Sequence, residues 1–182
     1  MHPGDYVELR GPNGSGKTSL LRMLCGLLPP TSGAILWRGE PITAVRDEYL
    51  SSVTYVGHRD AVKDELTTVE NLRVSSALGG FELSREEARD ALGRMSLGEQ
   101  EHFQARHLSE GQRRRLALAQ LVASRSSLWL LDEVMTSLDE AAAKSITSLI
   151  EAHVSRGGMA VLSTHHDVKL GARTFRRIEL AA

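Results

Sequence analysis

A glycine-rich stretch near the start of the chain limits the possible folds more than any other part of the sequence. The ten residues from 11 to 20, GPNGSGKTSL, have the form GxxxxGK[ST]. This pattern wraps backbone N–H groups around nucleotide phosphates, and it requires a strand before it and a helix after it. YVELR before the loop is typical of a strand. Apolar residues recur at helical spacing from Leu20 to Leu28, until Pro29 and Pro30 stop the predicted helix.

Each part of the loop has a predicted contact with the nucleotide. The amides of residues 13 to 18 and the helix N-terminus would hold the β-phosphate, Lys17 would contact the β and γ oxygens, and the Thr18 hydroxyl would bind Mg²⁺. A glycine turn with a purely structural role is the alternative, and the position between strand and helix argues against it. The predicted nucleotide-binding residues here are Gly11, Pro12, Asn13, Gly14, Ser15, Gly16, Lys17, Thr18 and Ser19.

A second motif, LWLLDE, is an apolar strand that ends in two carboxylates. Taken alone, it fits equally well a strand that runs out into a solvated loop. In a chain with a phosphate loop, it is typical of a Walker-B strand, in which Asp132 orients the Mg²⁺ shell and Glu133 polarises an attacking water. Lys17 and Glu133 are therefore predicted catalytic residues.

Composition argues against several other functions. The chain has 182 residues with a formal net charge of -1, so it lacks the basic excess that nucleic-acid binding requires. The single cysteine, Cys25, can form no internal disulfide, and no CxxC or HExxH spacing indicates zinc. The most apolar stretch, LLRMLCGLLPP, is too short to span a bilayer and carries Arg22.

The order of elements predicts one α/β domain over residues 1–182. Near-continuous apolar strands are typical of a parallel sheet, and GAILWRGEPI is typical of a strand or hairpin. From about residue 66 to 122 the pattern is helical, with a capping box at Ser84 and Glu87. We therefore predict a P-loop core in about 1–61 and 123–182, with a helical insertion in about 62–122.

The stretch LSEGQRRRLALAQL allows two interpretations. Ser109 and Gln112 have capping-box spacing, which fits an ordinary helix start with a solvated arginine face. The same helix end is rich in amides and positively polarised, so it is also suited to gripping a γ-phosphate. The order phosphate loop, helical segment, LSEGQ, LLDE, SLDE and STHH resembles the nucleotide-binding domain of ATP-binding cassette (ABC) transporters, from about Gly4 to the C-terminus.

The resemblance implies an Mg²⁺-dependent ATPase with a RecA-like P-loop NTPase core, a helical subdomain and an antiparallel β-subdomain, which is expected to be incomplete here. It implies that His165 contacts the γ-phosphate and links it to Glu133, with His166 the less favoured neighbour, and that His58 joins the ATP site. The sequence departs from the family pattern at Glu110, where a small residue is usual, and at Val134, where the family has proline. The implied signature residues are Leu108, Ser109, Glu110, Gly111 and Gln112, and the implied D-loop residues are Ser137, Leu138 and Asp139.

A head-to-tail homodimer is expected, because the helical insertion separates Ser109 from its own Lys17 and leaves it to serve the ATP of a second copy. The resemblance also implies integral membrane permease partners, a peripheral location at the cytoplasmic face of the inner membrane, and no nucleic-acid partner. His58, where most members have glutamine, favours the heme-exporter branch that serves c-type cytochrome maturation. An ABC ATPase for another cargo is the main alternative. A small-molecule kinase would not need LSEGQ or SLDE. A DNA-repair or chromosome-organising ATPase would need a long heptad insertion or a basic groove, and this sequence shows neither.

Only ten residues precede the phosphate loop. In the family a longer stretch of sheet comes first and carries an aromatic residue that stacks on adenine. Tyr6 is the one upstream aromatic, and it is expected to pack in the core instead. We therefore expect the chain to be an N-terminally incomplete form that holds adenine weakly.

Overall fold

The computed structural model describes residues 1–57, 61–136, 138–165, 168 and 174–181. Two short 3₁₀ turns, Gly98–Gln100 and Ala105–His107, lie in the helical segment. In chain order the helices and strands are β1 (Asp5–Arg10), α1 (Lys17–Leu24), β2 (Leu36–Trp37), β3 (Glu40–Pro41), α2 (Arg46–Ser51), β4 (Val53–Val56), α3 (Thr68–Leu78), α4 (Arg85–Arg94), α5 (Glu110–Ala123), β5 (Leu128–Asp132), α6 (Glu140–Ser155), β6 (Met159–Ser163) and β7 (Thr174–Glu179).

Five strands form one parallel sheet in the order β4–β5–β6–β1–β7. Strands β5 and β6 are buried along their whole length, as the near-continuous apolar runs predicted. Because the strands are parallel, their carboxyl ends meet at one edge of the sheet. Gly11 follows β1 at that edge, and Asp132 lies opposite Ser163 where β5 and β6 end. The α/β fold with a parallel sheet is thus confirmed.

Helices cover both faces of the sheet. On one face, alternate residues of β1, β5 and β6 pack against Leu21 of α1 in a cluster that includes Val7, Leu9, Leu130 and Val161. On the other face, a larger cluster joins the sheet to the helical segment and to α6. Its buried members include Tyr6, Trp129, Leu131, Ala160, Leu72, Leu92, Leu118, Ile146 and Ile150. The helical segment therefore packs on the sheet through continuous core contacts; the predicted boundaries near 61 and 122 stay a prediction.

Helix α1 ends four residues before the predicted end at Leu28, which corrects the sequence-based expectation. Gly26 adopts φ 73°, a left-handed conformation that glycine reaches without strain. The N–H of Gly26 donates to Met23 O at 3.0 Å and that of Leu27 to Arg22 O at 2.9 Å, which is the Schellman pattern of a helix end. The glycine therefore stops the helix before the two prolines, and Leu27 is left 64% exposed.

The predicted hairpin is present, but its strands are only two residues long. β2 and β3 pair antiparallel, with Trp37 opposite Glu40. Both turn residues have positive φ, 53° at Arg38 and 92° at Gly39, as a two-residue type I′ turn requires. The two helices α2 and α6 were not among the elements that the sequence pattern predicted.

Tyr6 packs in the core, as expected. Its ring is fully buried and stacks on Phe175 of β7, with centroids 5.7 Å apart and an angle of 24° between the planes. Burial raises the pKa of the Tyr6 phenol, and the neighbouring Glu8 raises it further.

The capping box at the start of α4 is confirmed. The N–H of Ser84 donates to Glu87 Oε2 at 2.8 Å, and the N–H of Glu87 donates to Ser84 Oγ at 3.1 Å. The hydrogen bond from the Ser84 backbone lowers the pKa of the Glu87 carboxyl. Among the described helices, none has the length and apolar character needed to cross a membrane.

Candidate active site

The phosphate loop closes tightly where β1 ends. Gly11 has φ 148°, and a Cβ atom there would lie 2.4 Å from Leu180 O and 2.5 Å from Ser15 Oγ. Gly14 and Gly16 also have positive φ, 85° and 93°. The loop therefore depends on glycine for both space and backbone conformation. The remaining predicted loop residues Pro12, Asn13 and Ser19 are exposed, and Thr18 is half-buried.

Lys17 lies inside this loop and is 5% exposed. Its Nζ donates to Gly11 O at 2.8 Å and to Pro12 O at 3.1 Å. Gly16 caps α1 and has no side chain to occupy the first amides of the helix. Within the described part of the chain, the buried Ser15 Oγ has no hydrogen-bond partner. A buried ammonium, an unpaired hydroxyl and a helix N-terminus together suit an anion such as phosphate.

Asp132 closes β5 and is 1% exposed. Its Oδ1 accepts a 2.7 Å hydrogen bond from Ser163 Oγ, and its Oδ2 accepts a 3.4 Å bond from the hydroxyl of Tyr55. Burial raises the pKa of Tyr55, and the charge of Asp132 adds to that rise. Two neighbours on separate strands therefore fix the orientation of the Asp132 carboxylate.

One cavity of about 550 Å³ brings the predicted magnesium ligands together. Thr18, Asp132 and Glu133 line it with Arg22, Tyr55 and Gly57. A hydroxyl and a carboxylate are hard oxygen donors of the kind Mg²⁺ prefers, and this ion usually takes its other ligands from phosphate and water. No cluster of three His, Cys, Asp or Glu side chains that could enclose a metal occurs among the residues described. The donors present therefore fit a magnesium ion held jointly with phosphates.

Glu133 follows Asp132 in a left-handed conformation, with φ 51°. Its N–H is shared between Ser163 O at 3.1 Å and Ser163 Oγ at 3.0 Å. Its carboxylate Oε1 lies 3.2 Å from Nε2 of His165 and 4.0 Å from Nζ of Lys17. The structure thus brings the three predicted catalytic residues together. Predicted residues His58, Ser137 and the alternative His166 lie outside the described residues.

The predicted signature residues form the start of α5. Ser109 Oγ accepts from the N–H of Gln112 at 3.3 Å, and Gln112 Oε1 accepts from the N–H of Ser109 at 2.8 Å, so the capping box is present. Ser109, Glu110 and Gly111 are exposed, whereas Leu108 is buried. Residues 108–112 are absent from the described lining of the cavity around Thr18 and Asp132.

The predicted D-loop residues lead into α6. Asp139 caps this helix, its Oδ1 accepting a 2.7 Å bond from the N–H of Ala142. Leu138 packs against the large core cluster. Val134, the departure from proline, is fully buried in the same cluster.

Three residues that organise the site were not predicted from the sequence. Ser163, Tyr55 and Arg114 all bond Asp132 or Glu133. One of the two interpretations of LSEGQRRRLALAQL placed its arginines on a solvated face, but Arg114 is buried on α5. The one available signal was the serine that closes the apolar run MAVLS, since a hydroxyl at the carboxyl end of a parallel strand is well placed for a site.

A strand, phosphate loop and helix, with two carboxylates at the end of a neighbouring strand, define a P-loop nucleotide-hydrolysing protein. The profile of the ABC transporter family matches residues 1–136. The chain belongs to the ABC transporter family and is an ATPase of that family.

Two relatives are similar to nearly the whole chain and share one name. The cytochrome c biogenesis ATP-binding export protein CcmA of Nitrosospira multiformis is 48% identical over 180 residues, which cover 99% of this chain and 87% of the relative. The protein of the same name from Nitrosomonas europaea is 45% identical over 181 residues, covering 100% of this chain and 85% of the relative.

Solved structures confirm the fold. A putative ABC transporter ATP-binding protein from Pyrococcus furiosus superimposes with a TM-score of 0.84 at 24% identity, covering 99% of this chain and 86% of that chain. A bacterial ABC transporter cassette solved as a dimer gives a TM-score of 0.85 at 23% identity, covering 98% and 82%.

Proposed function

We propose that this chain hydrolyses ATP as the energy-supplying subunit of an exporter used in cytochrome c biogenesis. Relatives 41–48% identical over nearly the whole chain carry that description in their names. One observation carries the catalytic part of this proposal. The nitrogens Lys17 Nζ and His165 Nε2 both lie within 4.0 Å of the same carboxylate oxygen, Oε1 of Glu133.

In this proposal the phosphate loop binds the triphosphate of ATP. The Lys17 ammonium and the first amides of α1 compensate its negative charge, and the unpaired hydroxyl of Ser15 donates to a phosphate oxygen. Thr18 and Asp132 would hold Mg²⁺, which when bound neutralises charge on the β- and γ-phosphates. Ser163 and Tyr55 keep the Asp132 carboxylate turned as this task requires.

Glu133 is the proposed general base. Its carboxylate takes a proton from a water molecule while the water oxygen forms a bond to the γ-phosphorus. The bond from that phosphorus to the bridging oxygen breaks, and ADP and inorganic phosphate result. His165 would hold the Glu133 carboxylate through the 3.2 Å contact between Nε2 and Oε1, and in this proposal it also contacts the γ-phosphate.

Replacing Glu133 with glutamine tests this assignment. The amide keeps the shape of the side chain but cannot accept the proton, so Glu133→Gln should lower turnover by about 100-fold or more. ATP affinity should stay within about threefold of wild type, because the phosphate loop is untouched. ATPase rates and equilibrium nucleotide binding check the two expectations separately. Turnover above about a tenth of wild type would refute the general-base role.

A second copy of the chain is proposed to complete the ATP site. The start of α5, with Ser109, Glu110 and Gly111, is exposed, and these residues are absent from the described lining of the cavity around Thr18 and Asp132. In a head-to-tail homodimer this helix end would face the γ-phosphate bound by the other copy, and Asp139 would lie at the same interface. ATP binding would draw the copies together, and hydrolysis would release them.

Membrane-spanning subunits are the proposed partners, which would place the chain at the cytoplasmic face of the inner membrane. A groove of about 440 Å³ runs between the sheet and the helical segment, next to the strand that leads to His58. Leu27, Leu50 and Leu78 line it, and all three are exposed, Leu78 by 83%. We assign this apolar groove to a segment of such a subunit, which would receive the motion that follows hydrolysis.

A cell lacking its own cytochrome c export ATPase provides the test of biological role. The chain, expressed together with its own neighbouring membrane proteins, should restore heme-stained c-type cytochromes, and the Glu133→Gln variant should not. Loss of ATPase activity without any change in cytochrome c content would favour an ABC ATPase for another cargo.

A further inference from the structure

Arg114 is a charged residue in an unexpected place. It lies in the second turn of α5 and is only 6% exposed. Its Nη1 donates to the main-chain oxygen of Gly57 at 3.0 Å, and its Nη2 donates to the main-chain oxygen of Glu133 at 3.3 Å. The guanidinium therefore bridges two carbonyl groups, one directly after the end of β4 and the other directly after the end of β5.

The contact matters because of the backbone conformation of Glu133. A glutamate rarely adopts φ 51°, and such a conformation persists only where its surroundings fix it. Ser163 holds the N–H of Glu133, while Arg114 and the N–H of Thr136 hold its carbonyl. The peptide groups on both sides of the Glu133 Cα are thus tied down, which fixes the direction of its side chain.

The same guanidinium also joins two parts of the protein. Helix α5 carries the signature residues at its N-terminus, and Gly57 directly precedes His58. The neighbouring Arg113 makes different contacts, with the Asp64 carboxylate and with Ala105 O, both within residues 62–122. Of these two adjacent arginines, Arg114 is the one whose described contacts cross from α5 to the sheet.

We propose that Arg114 is a positioning residue for ATP hydrolysis, which fixes the Glu133 carboxylate relative to α5 and to the end of β4. The inference rests on the proposed role of Glu133 as general base. A planar fork suits this task, because two N–H groups of one guanidinium reach two carbonyls at once. A lysine ammonium lacks that fork and leaves Glu133 less well held. If ATP bound to the second copy moves α5, the Arg114 side chain would transmit that movement to Glu133.

The experiment compares Arg114→Lys with a matched control, Arg113→Lys, in the full-length chain. We expect Arg114→Lys to lower kcat by about 10- to 100-fold, since small misplacements of a reacting group cost this much, while the Kd for ATP changes less than threefold. Arg113→Lys should keep kcat within about twofold. Rates are expressed per nucleotide-binding chain, so that any unfolded fraction is not counted. Arg114→Gln, which cannot bridge both carbonyls, should show the same loss.

The Glu133→Gln background separates positioning from general damage. If Arg114 acts through Glu133, adding Arg114→Lys to Glu133→Gln should lower the residual rate by less than twofold. An equal fractional loss in both backgrounds, or a wild-type kcat in Arg114→Lys, overturns the inference and leaves the general-base proposal standing. Wild-type turnover in Glu133→Gln alone overturns both.

Discussion

His153 and Trp129 form a parallel stack beneath the sheet, with ring centroids 3.8 Å apart and 4° between the planes. The imidazole is buried, and its Nε2–H donates to Met159 O at 3.3 Å. Gly158 makes room for it, because a Cβ atom there would lie 2.3 Å from the same nitrogen. Burial lowers the pKa of His153, so the folded protein favours the neutral ring.

Stability should therefore depend on pH through this residue. In the unfolded chain His153 takes up a proton near its ordinary pKa of 6.5, whereas the folded protein resists protonation. The unfolded state then binds more protons, so the free energy of unfolding is highest above pH 6.5 and falls as pH drops below it, by at most about 1.4 kcal/mol per pH unit. Urea unfolding between pH 5 and pH 8 should give a flatter dependence of the free energy of unfolding on pH for His153→Gln than for the wild type. Replacement of an exposed histidine, His107→Gln, is the control. An unchanged pH dependence in His153→Gln would contradict the assignment.

Individual side chains differ in how far the sequence predicts them. Glu133 and His165 follow strands in short motifs, and the structure places their side chains 3.2 Å apart. For Ser163 the sequence shows only its position at the end of an apolar run, because its contact with Asp132 depends on β5 and β6 being neighbours in the sheet. Arg114 stands in a run of three arginines, and the run alone cannot reveal which one turns inward.

Local signals also decided which elements were predicted well. Capping boxes are complete within four residues of sequence, so the starts of α4 and α5 follow from the sequence. The end of α1 was misplaced because two prolines are more conspicuous than Gly26, although the glycine acts first. Helix α2 has only six residues, too few for a periodic pattern to emerge.

The order of strands is a different case. β1 pairs with β6 and β7, which are more than 140 residues away along the chain. Nothing in the alternation of apolar residues specifies partners at such a distance. The parallel arrangement was predictable from the near-continuous apolar runs of the strands, whereas the order β4–β5–β6–β1–β7 was not.

At the scale of the whole molecule, the proposed homodimer makes a prediction about how two defects combine. Lys17→Ala removes the cation of the phosphate loop, and Ser109→Arg alters the exposed start of α5. Placed on opposite chains of a mixed dimer, the two changes fall in one composite site and leave the other intact. Placed on the same chain, they damage both sites, so hydrolysis should be far lower.

Mixed dimers purified with two different affinity tags, assayed for ATP turnover and for nucleotides bound per dimer, check this expectation. Dimers that carry a single change serve as controls for each defect. Equal activity in the two arrangements would show that each chain forms its own complete site.

The interior position of β1, between β6 and β7, also limits the order in which this protein can fold. The strand that feeds the phosphate loop is synthesised more than 140 residues before its neighbours on both sides, β6 and β7. Leu180 then completes the join, its N–H donating to Arg10 O at 2.8 Å. A growing chain therefore cannot pair this strand on either side, or complete the sheet behind its nucleotide pocket, until β6 and β7 have been synthesised.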